Sequence, residues 1–219
     1  MRPRVTLHYA QSLDGRIAVA GRTTKLSSAT GVERAHSLRA SHDAVLVGAE
    51  TVRIDDPLLT VRAVDGPQPR RVVLTTTLDL PEAARLVTDR ATPSERIVIG
   101  THAGARPEAR AWLEGQGVTV LLVGEIAPHR ASLAEALAAL HARGVERLLV
   151  EGGGRVITSL VDAELADELS VEIAPVILGD AATPAVGRLG ARASVTLTDA
   201  RSTVEDGHVF VHGSLRGAR

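Results

Sequence analysis

The 219-residue chain contains no cysteine. That excludes disulfides, thiolate metal ligands and a cysteine nucleophile. Aromatic side chains are almost absent, with Tyr9, Trp112 and Phe210 the only three. A row of rings that stacks the bases of single-stranded nucleic acid is therefore excluded. A flat heterocycle bound here must rest mainly on aliphatic groups. Neither sign of charge dominates. There are 25 Lys and Arg against 26 Asp and Glu, a formal net charge of −1, so no general field favours nucleic acid or an anionic membrane. No apolar run reaches the ~20 residues of a membrane-spanning helix. The opening stretch MRPRVTLHYAQSLDG has basic residues but neither a long apolar core nor a cleavage pattern. No signal peptide is expected, and the cytoplasm is the expected location. With 44% apolar and 23% charged residues, one domain over residues 1–219 with a sizeable core is the simplest organisation.

What is present is an alternation. Short β-rich runs recur at 4–10, 43–48, 71–75, 96–100, 118–123, 147–152 and 169–178, with weaker ones at 194–198 and 208–213. Several are continuously apolar, as strands buried on both faces are. Helical patterns lie between them. Thr30 with Glu33 has capping-box spacing before GVERAHSLRA, and Ser132 with Glu135 has it before LAEALAALHARG. Pro107 opens EARAWLEGQG, which Gly115 or Gly117 can end. GRVITSLVDAEL follows a triple glycine. Strands alternating with helices predict an α/β three-layer sandwich with a mostly parallel sheet. SVTLTDARSTVEDGHVFVHG has no helix between its two strands and reads as a closing hairpin, so the sheet is expected to be mixed. The stretches 62–70 and 88–96 are loops by composition.

Two strand–glycine–helix turns stand out, DAVLVGAETVRIDDPLLTVR and LLVEGGGRVITSL. In α/β sheets ligands bind beyond the carboxyl ends of the strands. A glycine there lets the backbone approach, and the helix start presents free N–H groups to an anion. GGGRVI is neither GxGxxG nor a Walker motif, so a phosphate cradle and a permissive corner stand about even. Glu151 ends its strand at that edge, either to accept hydrogen bonds from a polar ring or as a solvated or capping side chain. Arg39 either meets its helix's dipole or forms a fork for phosphate. Asp55 and Asp56 precede Pro57 and read as a turn rather than a metal site, and no metal is expected. SLDG is explained as a turn, and His8, mid-strand, as a packed histidine.

SLDGRIA, LRASHDAVLVGAETVRIDDPLLTVR, LLVEGGG and VDAELADELSVEIAPVILG occur in this order with similar spacing in one family. The chain resembles the reductase domain of the riboflavin-biosynthesis deaminase/reductases. It is most similar to the stand-alone reductases of 2,5-diamino-6-ribosylamino-pyrimidinone 5′-phosphate. The resemblance implies a dihydrofolate reductase-like fold, NADPH as cofactor, a phosphorylated pyrimidine as substrate, a homodimer, and hydride transfer that turns a ribosylamino group into a ribitylamino chain.

The resemblance also implies roles. Glu151 and Asp55 are the acids at the chemistry, and Glu151 hydrogen-bonds the pyrimidine. His8, Arg39, Leu59 and Arg62 belong to the substrate pocket, and Thr23 or Thr24 meets the substrate phosphate. Gln11, Lys25, Thr51, Asp55 and Thr76 contact the cofactor. Gly153, Gly154, Arg155, Val156 and Ile157, in the run through Ser159, hold its pyrophosphate. Thr76, Thr77 and Arg85 are candidates for its 2′-phosphate. His8 replaces a lysine and Lys25 a tryptophan common in bacterial members. Both leave the chain closer to the stand-alone type. They also keep open a same-fold reductase of another pterin, pyrimidine or specialised metabolite. A non-enzymatic nucleotide-binding module is the third alternative. The zinc deaminases need a P-C-x-x-C ligand pair, which a chain without cysteine lacks. Either a separate protein deaminates or reduction comes first, and the second is the favoured order.

Overall fold

The computed structural model describes residues 1–19, 21–190 and 194–216. In chain order the elements are β1 (Arg4–Ser12), β2 (Arg16–Val19), α1 (Ala29–Ala40), β3 (Ala44–Gly48), α2 (Ala49–Asp55), β4 (Arg70–Leu74), α3 (Arg85–Thr88), β5 (Arg96–Thr101) and α4 (Pro107–Gly115). There follow β6 (Thr119–Val123), β7 (Glu125–Ala127), β8 (Arg130–Ala131), α5 (Leu133–Ala142), β9 (Arg147–Val150), α6 (Gly154–Asp162), β10 (Glu168–Ala174), β11 (Ala182–Pro184), β12 (Thr196–Glu205) and β13 (His208–Arg216). Nine strands form one sheet in the order β12-β13-β10-β1-β9-β3-β4-β5-β6. The seven from β10 to β6 are parallel, and β13 and β12 close the sheet antiparallel.

Helices cover both faces, so the central strands are apolar throughout. β3 and β5 are buried at every residue. On one face Leu7, Leu46, Leu148 and Ile99 pack with Leu137 and Leu140 of α5 and Ile157 and Leu160 of α6. On the other, Val45, Val73, Val98 and Leu149 pack with Val52 of α2, Leu86 and Val87 of α3 and Leu113 of α4. A parallel sheet between two helical layers needs apolar side chains on both sides of each strand. The runs at 43–48 and 96–100 carry that signature.

Topology places the site. β9 enters late in the chain and lies between β1 and β3. The carboxyl ends of these three neighbours therefore share one edge, at the point where the strand order reverses. The hairpin is closed by Asp206 and Gly207, both with positive φ (54° and 75°), the two-residue turn for which Asp-Gly is suited.

Four expectations are corrected. Helix α1 is capped by Ser28, whose Oγ accepts the Gly31 N–H at 3.0 Å, and not by Thr30. The cause is Glu172, 1% exposed, which accepts from both the N–H and the Oγ–H of Ser28 at 2.7 and 2.8 Å. A Cβ on Gly31 would lie 1.9 Å from its carboxylate. Thr30 donates instead to Asp206 at 2.6 Å. Ser132 does cap α5, but Glu135 accepts from Gly124 at 2.8 Å rather than returning to Ser132. β10 stops at Ala174 because Pro175 has no N–H for the ladder. Two small pairs, β2 with β11 and β7 with β8, have no counterpart in the expected strands.

Candidate active site

Glu151 follows β9 directly, and its N–H still bonds to the Leu46 carbonyl of β3 at 3.0 Å. Its carboxylate is thereby aimed beyond the sheet edge. Arg39, in the last turn of α1, reaches it from the side. Nε and Nη2 donate to the two Glu151 oxygens at 2.6 and 2.7 Å, and Nη1 donates to the Thr60 carbonyl at 3.0 Å. This is a bidentate fork in a largely buried place. Burial penalises the charged guanidinium, but Glu151 more than offsets that, and the Arg39 pKa lies above its ordinary value.

The pair borders a cavity of about 240 Å³, lined also by His8, Tyr9, Ser27, His36 and Arg62. His8 Nδ1 lies 3.1 Å from the Ser170 carbonyl. A carbonyl only accepts, so Nδ1 carries the proton and Nε2 remains an acceptor. Burial lowers the His8 pKa, with the Glu151 charge opposing it, so the ring is neutral at pH 7. A second cavity of about 260 Å³ adjoins the first and shares Arg39 and Arg62 with it. Asp55, Pro57, Leu58, Leu59 and Arg85 complete its lining. Leu59 is fully buried with φ of +57°. A branched side chain in the left-handed region is strained, a conformation that clusters at ligand sites.

The two glycine turns meet. The Gly48 N–H donates to the Gly152 carbonyl at 3.1 Å, and a Cβ on Gly48 would stand 3.1 Å from Val156. A Cβ on Gly153 would lie 3.2 Å from Thr51 Oγ1, and one on Gly154 would strike the Pro184 carbonyl at 2.4 Å. Gly152 has φ of +132° and open space where a side chain would project. Gly153 caps helix α6 with no side chain, and the Val156 and Ile157 amides bond to its carbonyl. Protein already fills the space beside Gly153 and Gly154, so the open side of this turn is at Gly152.

The predicted residues thus fall into groups. His8, Arg39, Arg62 and Glu151 share the first cavity, and Arg39, Arg62, Leu59 and Asp55 the second. Thr51, Gly153, Gly154 and Val156 gather at the glycine turns. Arg155 stands over the same helix start, 92% exposed and 3.8 Å from Glu50. Ile157 turns inward to the core, and its N–H bonds to the Gly153 carbonyl at 3.2 Å. Thr23 donates to Asp55 at 2.7 Å, and Thr24 accepts from the Val19 N–H at 2.9 Å. Gln11, Lys25 and Thr76 line neither cavity. Gln11 is near the end of β1, Lys25 is exposed, and the Thr76 carbonyl accepts from Thr101. Arg85 faces the second cavity and pairs with Asp56 at 3.1 Å. His36 is an addition. It lies three residues before Arg39, a spacing that puts both on one helix face.

Residues 3–211 match the family model described as the RibD C-terminal domain. The chain belongs to that family. Among relatives, the 2,5-diamino-6-ribosylamino-4(3H)-pyrimidinone 5′-phosphate reductase of Methanothermobacter thermautotrophicus is 39% identical over 182 residues, 82% of this chain and 81% of that protein. The solved riboflavin biosynthesis reductase of Saccharomyces cerevisiae superposes with a TM-score of 0.78 at 25% identity, covering 98% of this chain and 90% of that one. A dihydrofolate reductase from Enterococcus faecalis superposes with a TM-score of 0.52 at 16% identity, covering 98% and 97%. The RibD C-terminal domain here is therefore an α/β sandwich of the dihydrofolate reductase type, with a mostly parallel mixed sheet.

Proposed function

We propose that this chain is one reductase domain over residues 1–219 that uses NADPH to reduce the ribosylamino group of a pyrimidine ribosyl 5′-phosphate to ribitylamino in riboflavin biosynthesis. The observation that carries the reading is Glu151, held in place by Arg39 on the wall of a cavity beside the glycine turns. The names of the relatives support the same reaction. When bound, a nicotinamide cofactor would supply the hydride for C1′ of the open imine form of the substrate, with the proton for its nitrogen drawn from solvent. The glycine turns and Thr51 would hold the cofactor's pyrophosphate. The Glu151 carboxylate accepts hydrogen bonds from the pyrimidine, and Arg39 fixes the plane of that carboxylate. Arg62 and Arg85 supply positive charge for the substrate phosphate, with Leu59 and Asp55 in the wall beside them.

The preferred pyrimidine follows from the acceptors. Glu151 and the neutral His8 Nε2 both accept hydrogen bonds, so the cavity suits a ring edge bearing amino groups. The diamino form is therefore preferred to its deaminated product, whose carbonyl would face these acceptors. We assign the protein to the cytoplasm. A homodimer is supported by the free sheet edge at β12, where Val204 is exposed. The test is oxidation of NADPH, followed by absorbance, with the diamino and the deaminated substrates in parallel and with NADH as a control. Faster turnover of the diamino form with NADPH is expected. Oxidation with neither pyrimidine would overturn the reading.

A further inference from the structure

Two histidines line the first cavity, and their partners lock them in opposite tautomers. His8 presents an acceptor, as derived above. His36 is reversed. Its Nδ1 receives the Arg62 N–H at 2.9 Å and the Ala63 N–H at 3.4 Å. An amide only donates, so Nδ1 is unprotonated and Nε2 carries the hydrogen. The residue is 2% exposed, yet it lines the cavity beside Arg39 and Arg62. No hydrogen bond to its Nε2 is seen among the described residues, and that nitrogen is not one of the enclosed unpartnered atoms, so it opens into the cavity that His36 lines. It is a donor available to whatever fills the cavity.

We propose that His36 is a substrate-binding residue whose Nε2–H donates to an oxygen of the ribosyl phosphate, while its Nδ1 holds the Leu59–Arg62 loop in register with α1. The proposal rests on the reductase reading above. The choice of moiety follows from what the cavity already offers. Glu151 and His8 accept from the heterocycle, so the donor belongs to the part of the substrate that is rich in oxygen. That part lies on the Arg39 and Arg62 side, where His36 stands. Burial and the charges of Arg39 and Arg62 lower the His36 pKa to about 4, with Glu151 opposing. The ring therefore stays a neutral donor and adds no third positive charge at pH 7.

Two substitutions separate the anchor from the donor. In His36→Asn the amide oxygen stands near the place of Nδ1 and can accept from Arg62, but nothing reaches the place of Nε2. In His36→Gln the amide reaches that place and donates, but the anchor is lost. His36→Asn is expected to raise KM for the pyrimidine ribosyl phosphate about tenfold, the scale of one hydrogen bond, with kcat and Tm close to wild type. His36→Gln is expected to recover most of that KM at a lower Tm. An unchanged KM in His36→Asn, or parallel loss of Tm and kcat in both variants, would overturn the proposal. A second readout needs no turnover. Nitrogen-15 histidine spectra of the whole protein at pH 7 should show His36 as the Nε2–H tautomer, shifting on addition of ribose 5-phosphate. The Nδ1–H tautomer, an imidazolium, or no response at saturating ribose 5-phosphate would overturn it. A wild-type protein that oxidises no NADPH would sink the reductase reading and leave the spectra to decide on His36.

Discussion

Arg39 and Arg71 each bind a carboxylate inside the same sandwich, at opposite edges of the sheet. Arg39 with Glu151 lies at the carboxyl edge, against an open cavity. Arg71, the second residue of β4, lies at the amino edge, 0% exposed, with Nη1 on Asp89 at 2.7 Å and Nε on Ser94 at 2.9 Å. The chemistry of the two pairs is alike, but what surrounds them differs. At the amino edge a loop closes over the arginine. Asp89 is held near pKa 2, first by Thr92, then by the Ala91 N–H and Arg71, against a smaller burial penalty. At the carboxyl edge the helix-bearing turns splay and leave a space that protein does not fill. A buried ion pair is weak evidence for stability by itself. The same pairing serves folding where it is closed over and recognition where it is open.

The contrast can be broken by experiment. The largest expected effect is on catalysis. Glu151→Gln should lower kcat/KM by about 10²–10⁴, the range for a group that directs protons or hydrogen bonds in the transition state. Its loss of stability should be smaller than that of the amino-edge variant, because water in the cavity can solvate Arg39. Equal loss of stability in the two would erase the distinction. Next is Asp89→Ala, which leaves Arg71 charged and enclosed. It should destabilise by about 3–5 kcal/mol in denaturant titrations while KM of the folded fraction stays unchanged.

A third, smaller effect depends on pH. The folded-state pKa of His36 is about 4, below its ordinary value, through burial and the Arg39 and Arg62 charges. A depressed histidine pKa means that the fold favours the neutral ring. Its contribution is complete above about pH 6.5 and is lost as pH falls towards 4. His8 and His42 are lowered in the same sense, so the test is a difference. The denaturation midpoint of His36→Asn should fall less steeply between pH 7 and 4.5 than that of wild type. Parallel curves would remove the anchor from the account. The smallest effect is the exposed Arg110–Glu114 pair on α4, at 2.8 Å. Glu114→Gln should change stability by less than about 0.5 kcal/mol, vanishing in high salt. It is the baseline for the two buried pairs.

Much of the layout was legible beforehand for one reason. Strands buried on both faces are written as unbroken apolar runs, and every such run became a strand of the large sheet. The closing hairpin was legible because no helical pattern separates its two strands. Local signals failed where a distant residue decided the matter. Thr30 had the spacing of a cap, but the cap went to Ser28 because Glu172, 144 residues away in sequence, binds it. The family resemblance grouped Glu151, Arg39, Arg62 and His8, and these four line one cavity. The residues by themselves read His8 only as a packed strand histidine. The mutual pairing of Arg39 and Glu151 was not legible, because residues 112 apart in the chain meet only once β9 is inserted beside β3. His36 escaped because its role depends on the Arg62 amide, a backbone group that no side-chain pattern reports.

Helix α1 has one further property. Its far end carries His36 and Arg39, while its near end is clasped by the β12–β13 hairpin. Thr30 bonds to Asp206, Arg34 pairs with Glu205 and lies 4.0 Å over the Phe210 ring, and buried Glu172 stands 2.9 Å from His208. The helix is a lever with its handle in the hairpin and its tip in the pocket. Whoever reshapes the outer strands for expression, fusion or assembly is also adjusting the aim of two pocket side chains, without touching a single residue that lines it.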